Sequence, residues 1–207
     1  MQRNLLRLIL AAAALAPAAS AGVVFSVTPV TTIAHPGDIG DSFDVVLTNN
    51  SGGTISVAAF TFGVSTSSSD ISFQAADTST SAPYIFAGDS FDIIGGFPLS
   101  SGTFPNQHVV GSDLTNDFTG VTVLNGQTVG LGRILYDVSP TAATGSFSLD
   151  LSTNANENSL SDENFAGITI DSLKDASVSI ENTVPEPATL LLSPAALLLL
   201  LRRKRRS

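Results

Sequence analysis

The sequence predicts an all-β protein whose body, residues 22–183, forms a single antiparallel β-sandwich of jelly-roll type. Three observations favour this fold class. Short apolar runs alternate with polar residues at the period of two that is typical of strands. Clusters of Gly, Pro, Asn and Ser separate these runs. No run in the body has the 3.6-residue period of an amphipathic helix.

Strand-like alternation recurs along the whole body. In residues 41–49, Phe43, Val45 and Leu47 share one face, while the polar side chains lie on the other face with Val46. The same pattern places further residues on inward faces: Ile134, Tyr136, Val138, Phe147, Leu149, Leu151, Ala176, Val178 and Ile180. Residues 54–65 are apolar on both faces, as in a central strand. Turn clusters lie at residues 35–38, 49–53, 125–126 and 143–145.

Residues 79–117 have the least regular pattern, with scattered Pro and Gly. We expect long loops or a short inserted hairpin there. The body holds 162 residues, which is enough to bury one core without disulfides, and the chain has no cysteine. We therefore expect one domain, and the composition excludes disulfides, thiol catalysis and thiolate metal sites.

The charge of the body excludes one class of partner. Of 18 acidic and nine basic residues, 17 acidic residues but only Arg133 and Lys174 lie within residues 22–183, a formal charge of −15. Nucleic acid is excluded, because phosphate binding requires clustered Lys or Arg. An anionic membrane surface is equally unfavourable. Such a charge favours solubility, multivalent cations or a cationic matrix.

The N-terminus predicts a secretory signal peptide, residues 1–21. Arg3 and Arg7 form a positive n-region, and residues 5–15 are an apolar run of the length of an h-region. Ala19 and Ala21 flank Ser20 as a small-x-small cleavage site. Cleavage by signal peptidase would make Gly22 the first residue of the mature chain, which would then be exported.

The C-terminus predicts a short membrane helix, residues 189–201, followed by a basic cluster. Thirteen mostly apolar residues span about 20 Å as a helix, against a hydrocarbon core of about 30 Å. The basic cluster follows directly: Arg202, Arg203, Lys204, Arg205 and Arg206. Positive residues resist translocation, so we expect this cluster to remain cytoplasmic while the helix anchors the chain in the inner membrane. A buried C-terminal core helix with a basic tail is the alternative.

Residues 184–207 resemble the PEP-CTERM protein-sorting signal. The shared features are Val184-Pro185-Glu186-Pro187, the leucine-rich helix and the arginine cluster. The resemblance implies that Pro185, Glu186 and Pro187 are a sorting motif, recognised by an exosortase in bacteria that make extracellular polysaccharide. It further implies cleavage near the motif and delivery to the envelope or the exterior.

The body is similar to cohesin-type and related carbohydrate-binding sandwiches. The similar features are Pro36-Gly37-Asp38 before the first alternating strand, residues 60–64, residues 132–136, the strand led by Gly145, and residues 162–165 before the final hairpin. The resemblance implies a non-catalytic module that binds protein modules or scaffold partners.

A hydrolytic function is a weaker hypothesis. The Gly-Asp-Ser triplet occurs twice, ending at Ser42 and Ser90, and resembles the motif of a large esterase family. A Ser nucleophile needs a base, which is nearly always His. The chain's two histidines, His35 and His108, lack the spacing that this family uses. We therefore expect no enzymatic activity.

The sequence offers weak candidates for ligand sites. Asn154, Asn156, Asn158, Asp162 and Glu163 supply hard oxygens that suit calcium, although residues 159 and 165 do not match a helix-loop-helix calcium loop. A plain Asn-rich turn is the alternative. His35 and His108 lie in Pro-containing segments that read as exposed turns.

Glycan stacking has few candidate side chains. The body has no Trp, its only tyrosines are Tyr84 and Tyr136, and most Phe residues have a core pattern.

Together these patterns predict an exported, exosortase-sorted protein. Its expected role is structural or adhesive, within the cell envelope or an exopolysaccharide matrix. The alternative is a binding module for a glycan, for calcium or for another protein, and the third hypothesis is a secreted hydrolase. No cofactor is expected unless calcium binds.

Overall fold

The computed structural model describes residues 22–91 and 107–182, which form β-strands and connecting turns. The strands are β1 (Gly22–Thr28), β2 (Thr31–Ala34), β3 (Asp41–Asn50), β4 (Ile55–Val57), β5 (Ala59–Ser65), β6 (Ile71–Asp77), β7 (His108–Leu114), β8 (Val121–Val123), β9 (Thr128–Val138), β10 (Gly145–Leu151), β11 (Ser159–Ser161), β12 (Ser172–Lys174) and β13 (Ala176–Ile180).

The strands build two main sheets that face each other. One sheet has the order β12-β1-β3-β9-β6. The other has the order β11-β5-β10-β13-β2, and β7 pairs with β5 along its full length. A small ribbon, β4-β8, lies outside both sheets. The predicted all-β sandwich is therefore confirmed.

The prediction of a wholly antiparallel arrangement is wrong for two strand pairs. β12 runs parallel to β1, and β13 runs parallel to β2. The chain crosses from one sheet to the other near each end of the described residues. Near the start, Pro29 lies between β1 and β2, and near the end, Asp175 lies between β12 and β13. Alternation specifies which face of a strand is buried but not the direction of its neighbour, so the sequence pattern could not reveal these pairs.

The core lies between the two sheets and contains the residues predicted to face inward, except that Phe147 is half-buried and packs against it. Phe43, Val45 and Leu47 of β3 are buried, as are Ala176, Val178 and Ile180 of β13. The ring of Phe43 lies 5.8 Å from that of Phe73, edge to face, and 5.9 Å from that of Tyr136. Such aromatic pairs contribute beyond the burial of their area.

The expectation of irregular structure in residues 79–117 is wrong for β7. Its inward positions are Val109, Gly111 and Asp113, and only the first of these is a large apolar residue. The sequence of β7 therefore shows no apolar alternation with a period of two. Gly111 is required by packing, because a Cβ there would lie 2.4 Å from Cζ of Phe62. His108 begins this strand and does not lie in a turn.

The two predicted targeting segments, residues 1–21 and 184–207, lie outside the described residues, as does part of the irregular segment, residues 92–106. The first strand begins at Gly22 and the last described strand ends at Ile180. Within residues 22–91 and 107–182, no helix has the length and apolar character needed to cross a membrane. The predicted helix at residues 189–201 remains a prediction.

Candidate functional site

The asparagines of the calcium hypothesis hold their own loop together. The side chain of Asn154 accepts a hydrogen bond from the backbone N–H of Asn156 at 3.0 Å. The side-chain oxygen of Asn158 accepts the backbone N–H of Gly63 at 3.1 Å, and its amide nitrogen donates to the carbonyl of Ser152. Asn158 is buried, so its amide joins the loop to β5. These oxygens serve local structure.

The two predicted acidic ligands belong to a different turn. Asp162 Oδ1 accepts the backbone N–H groups of Asn164 at 2.8 Å and of Ala166 at 2.9 Å. Glu163 Oε2 accepts the hydroxyl of Ser56 at 2.7 Å. Among the described residues, no group of three or more acidic or histidine side chains is arranged to hold a metal ion. The calcium hypothesis thus depends on the sequence pattern alone.

The two histidines have separate carboxylate neighbours. His35 Nδ1 lies 3.4 Å from Asp38 Oδ2, and its backbone N–H donates to the same carboxylate oxygen at 2.7 Å. His108 Nε2 lies 3.3 Å from Glu157 Oε2. The structure therefore does not bring the two imidazoles to one shared carboxylate.

Ser90, the candidate nucleophile of the hydrolase hypothesis, contacts a carboxylate. Its hydroxyl donates to Asp113 Oδ2 at 2.5 Å, and the hydroxyl of Tyr84 donates to the same oxygen. Asp113 is only 2% exposed and also accepts the backbone N–H of Leu114. Three donors share this buried carboxylate, so the arrangement suits a structural connection between residue 90 and β7.

The structure brings together two exposed phenylalanines that sequence reasoning did not single out. Phe118 is 52% exposed and Phe165 is 70% exposed, and their ring centroids lie 6.4 Å apart with a tilt of 56°. Both residues have a φ of 59°. This left-handed conformation is unfavourable for a bulky residue. We call these two side chains the aromatic patch.

The aromatic patch lies at one end of β5. Phe118 belongs to the turn after β7, and Phe165 belongs to the turn after β11. Both strands pair with β5 at its first residue, Ala59, which aligns with Leu114 on one side and with Ser161 on the other. The sheet therefore positions the two turns side by side.

Four carboxylates lie in or next to the two turns that carry the aromatic patch, and we call them the acidic rim: Asp89, Asp117, Asp162 and Glu163. Asp117 precedes Phe118, and a Cβ on Gly120 would lie 2.8 Å from Glu163 Oε2, so the two turns are in contact. Partial desolvation, then a hydrogen bond and charge repulsion from Asp117, raise the pKa of Asp89. Hydrogen bonds from the side chain and backbone of Thr119 lower the pKa of Asp117. Asp89 and Asp117 therefore lie close together.

Most of the described Phe side chains are buried, as the sequence pattern predicted, but three of them are not. Tyr136 is fully buried, but Phe91, Phe118 and Phe165 are more than half exposed. The sequence contains a pattern that indicates exposure of Phe118 and Phe165. The runs Asn116-Asp117-Phe118-Thr119-Gly120 and Glu163-Asn164-Phe165-Ala166-Gly167 each place a lone Phe inside a polar turn cluster with no alternating apolar partner.

Comparison with known proteins identifies the fold. A type I cohesin from Clostridium thermocellum, solved in complex with a dockerin, is 15% identical over 81% of this chain and 99% of its own, with a TM-score of 0.54. The described residues have a cohesin-like fold. The cohesin CaCohA2 from Clostridium acetobutylicum is also 15% identical, over 77% of this chain and 91% of its own, with a TM-score of 0.53.

The likeness to these proteins is one of structure only. A non-cellulosomal cohesin from Archaeoglobus fulgidus is 12% identical over 78% of this chain and 92% of its own, with a TM-score of 0.50. No family model matches the chain, and no curated protein matches its sequence. At these identities the comparison establishes the fold alone.

Proposed function

We propose that this chain is an exported, non-catalytic protein-binding module that a sorting protease delivers to the cell envelope or to an extracellular matrix. The observation that carries the proposal is the cohesin-like sandwich of residues 22–91 and 107–182. The cohesins that it resembles include several solved with dockerins bound. By analogy with them, the body would perform its structural or adhesive role by binding another protein.

The sequence at the two ends supports the export part of the proposal. Residues 1–21 would direct the chain across the membrane, with signal peptidase cutting after Ala21. The helix at residues 189–201 would halt translocation with the basic cluster 202–206 inside. An exosortase would then recognise Pro185-Glu186-Pro187 and release or transfer the body. The acidic body and the basic tail would thus end on opposite sides of the membrane.

Intact-mass analysis of the protein recovered from the cells that produce it tests the export part. We expect a chain that begins at Gly22 and ends near residues 184–187. Replacing residues 202–206 by Ser should prevent retention in the membrane and change the C-terminal cut. A full chain in the cytosol, with Met1 and Ser207 both intact, would contradict the proposal.

Affinity capture of the epitope-tagged chain from cross-linked producer cells tests the binding part. We expect one or a few proteins, each of which retains the chain when purified and immobilised. Recovery of a polysaccharide alone, or a shift of the melting temperature by calcium alone, would favour the alternative ligands. Ester hydrolysis that is abolished by Ser90→Ala would favour the hydrolase.

A further inference from the structure

We propose that the aromatic patch, Phe118 and Phe165, is the docking surface for a basic protein segment that presents Lys or Arg side chains. This inference rests on the proposed protein-binding function and names the surface and the chemistry of the partner. It does not depend on the sorting signal.

Both rings of the aromatic patch are exposed to solvent. Phe118 and Phe165 contact each other, yet each leaves more than half of its surface to solvent. A large apolar side chain at the surface loses the favourable transfer from water that burial provides. Two such rings side by side form a continuous apolar surface, which a partner would cover.

The backbone at both positions is unfavourable for a phenylalanine. A φ of 59° is disfavoured for Phe, whereas Gly or Asn adopts it readily. Each turn contains a residue that would adopt this φ more readily than Phe does. Asn164 directly precedes Phe165, and Gly120 lies two residues after Phe118. Local folding therefore does not explain Phe at either position, but contact with a partner does.

The charge around the aromatic patch selects the partner. The turns that carry the two rings hold the acidic rim, and both the Lys and the Arg of the described residues lie elsewhere. Arg133 pairs with Asp44 at 2.8 Å, and Lys174 belongs to β12 at the edge of the other sheet. A cation that approaches the aromatic patch is attracted by the acidic rim and also by the negative faces of the rings.

The same charge argues against a second copy of this chain as the occupant. Each body carries a formal charge of −15, so two acidic rims brought face to face would repel each other. A basic segment instead gains electrostatic attraction, and its aliphatic stems can cover the rings.

Ile39 provides a matched control for the test. It is an apolar side chain that is 83% exposed, and it lies at the opposite end of the sandwich. It precedes β3, whose first residue pairs with Tyr136 near the end of β9. Val138, the last residue of β9, pairs with Ile71 at the start of β6, which follows the end of β5. Ile39 therefore lies towards the end of β5, whereas the aromatic patch flanks the start of β5.

Site-specific photo-cross-linking of the full chain in its producer cells tests the location of the surface. The photoreactive residue p-benzoylphenylalanine replaces Phe118, Phe165 or Ile39 in turn. We expect a protein adduct at positions 118 and 165, with a Lys- or Arg-rich contact peptide, and none at position 39. A protein adduct at position 39 alone would overturn the patch but keep the binding function. A polysaccharide adduct, a dimer of this chain, or no adduct at all would overturn the patch.

Titration of the purified partner against variants of the full chain tests the chemistry. Phe118→Asn combined with Phe165→Asn should weaken binding at least tenfold, and Asn tolerates the backbone at both positions, so the variant should fold. Asp117→Asn combined with Glu163→Gln should weaken binding and reduce its dependence on salt. Ile39→Asn should bind like the wild type. Equal affinities for all variants would overturn the proposal while leaving the protein-binding function intact.

Discussion

The carboxylate of Asp171 occupies the space beside Gly22 into which any other residue would project its Cβ. A Cβ built on Gly22 would lie 2.2 Å from Asp171 Oδ2, and φ at Gly22 is +120°. The same oxygen accepts the backbone N–H of Val23 at 2.7 Å, and the backbone N–H of Asp171 donates to the carbonyl of Val23 at 2.8 Å. These contacts attach the start of β1 to the segment that leads into β12.

Gly22→Ala should therefore destabilise the protein. The new Cβ would displace the Asp171 carboxylate, which accepts the backbone N–H of Val23, so we expect a loss of about 1–3 kcal/mol in the free energy of unfolding. Urea unfolding measures this loss. Gly53→Ala is the control, because its Cβ would meet nothing within 4 Å and its φ is ordinary. Equal effects of the two substitutions would show that Asp171 moves without cost.

Asp44→Asn should destabilise the protein at neutral pH. Asp44 is 4% exposed, and its carboxylate accepts two hydrogen bonds from Arg133, at 2.8 and 3.2 Å, and one from the backbone of Ser81 at 2.5 Å. The loss of the ion pair should cost about 1–3 kcal/mol, because Arg133 would remain partly buried without its partner. Glu181→Gln, on an exposed side chain, should change stability by less than about 0.5 kcal/mol.

The pH dependence of this difference follows from the pKa of Asp44. Burial alone would raise the pKa, but the hydrogen bonds from Arg133 and Ser81 outweigh it and hold the pKa below its usual value. A lowered pKa in the folded state contributes stability above the unfolded pKa of about 3.9. This contribution is lost as the pH falls through the folded pKa. The wild-type and Asp44→Asn proteins should therefore converge in stability below about pH 4, and a constant difference would contradict the assignment.

Asp41→Asn should have the opposite effect and stabilise the protein at neutral pH. Asp41 Oδ2 is buried and has no hydrogen-bond partner. Desolvation, and then the charges of Asp38 and Asp137, raise the pKa of Asp41, although His35 lowers it in part. Charged Asp41 is therefore unfavourable in the folded state. Removing its charge should increase the free energy of unfolding at pH 7 by up to about 1 kcal/mol, within the range measured for partly exposed charges.

Melting curves at several pH values check the sign. The folded wild type binds a proton at Asp41 more readily than the unfolded chain does, so it recovers stability as the pH falls through the raised pKa. The advantage of Asp41→Asn should accordingly disappear in acid. A variant that is less stable than the wild type at pH 7 would mean that the carboxylate has a favourable partner.

Phe165→Asn should leave the stability unchanged or raise it by up to about 1 kcal/mol. The substitution relieves the left-handed backbone strain and removes only a partly buried ring contact. Phe43→Asn, at a buried core position, should cost more than the 3–5 kcal/mol or so that is typical of a buried Phe→Ala change. A large loss at residue 165 would show that this ring is part of the core.

Local sequence was sufficient for strands that alternate clearly. The inward residues of β3 and β13 were predicted, and they are buried, because a half-buried strand must present apolar side chains at every second position. β7 was not predicted, because two of its inward positions are not apolar side chains. Gly111 lies inward because Phe62 fills the space of its side chain, and Asp113 lies inward because Tyr84 and Ser90 donate hydrogen bonds to it. All three partners come from other parts of the chain.

The calcium hypothesis and the aromatic patch show that local sequence is also insufficient to predict a site. The sequence places Asn154 and Asp162 eight residues apart, but their oxygens accept hydrogen bonds within separate turns. Phe118 and Phe165 are 47 residues apart, and only the pairing of β7 and β11 with β5 brings their rings together. Spacing along the chain could not predict either outcome.

The sequence by itself determined the fold class, because side-chain alternation and turn residues act over a few neighbouring positions. It also determined the strongly acidic charge, which is a sum that needs no coordinates. The tertiary structure decided which strands pair in parallel, which carboxylates acquire shifted pKa values and which phenylalanines remain at the surface. These properties depend on contacts between residues that are distant in the chain, and such contacts exist only once the two sheets have packed together.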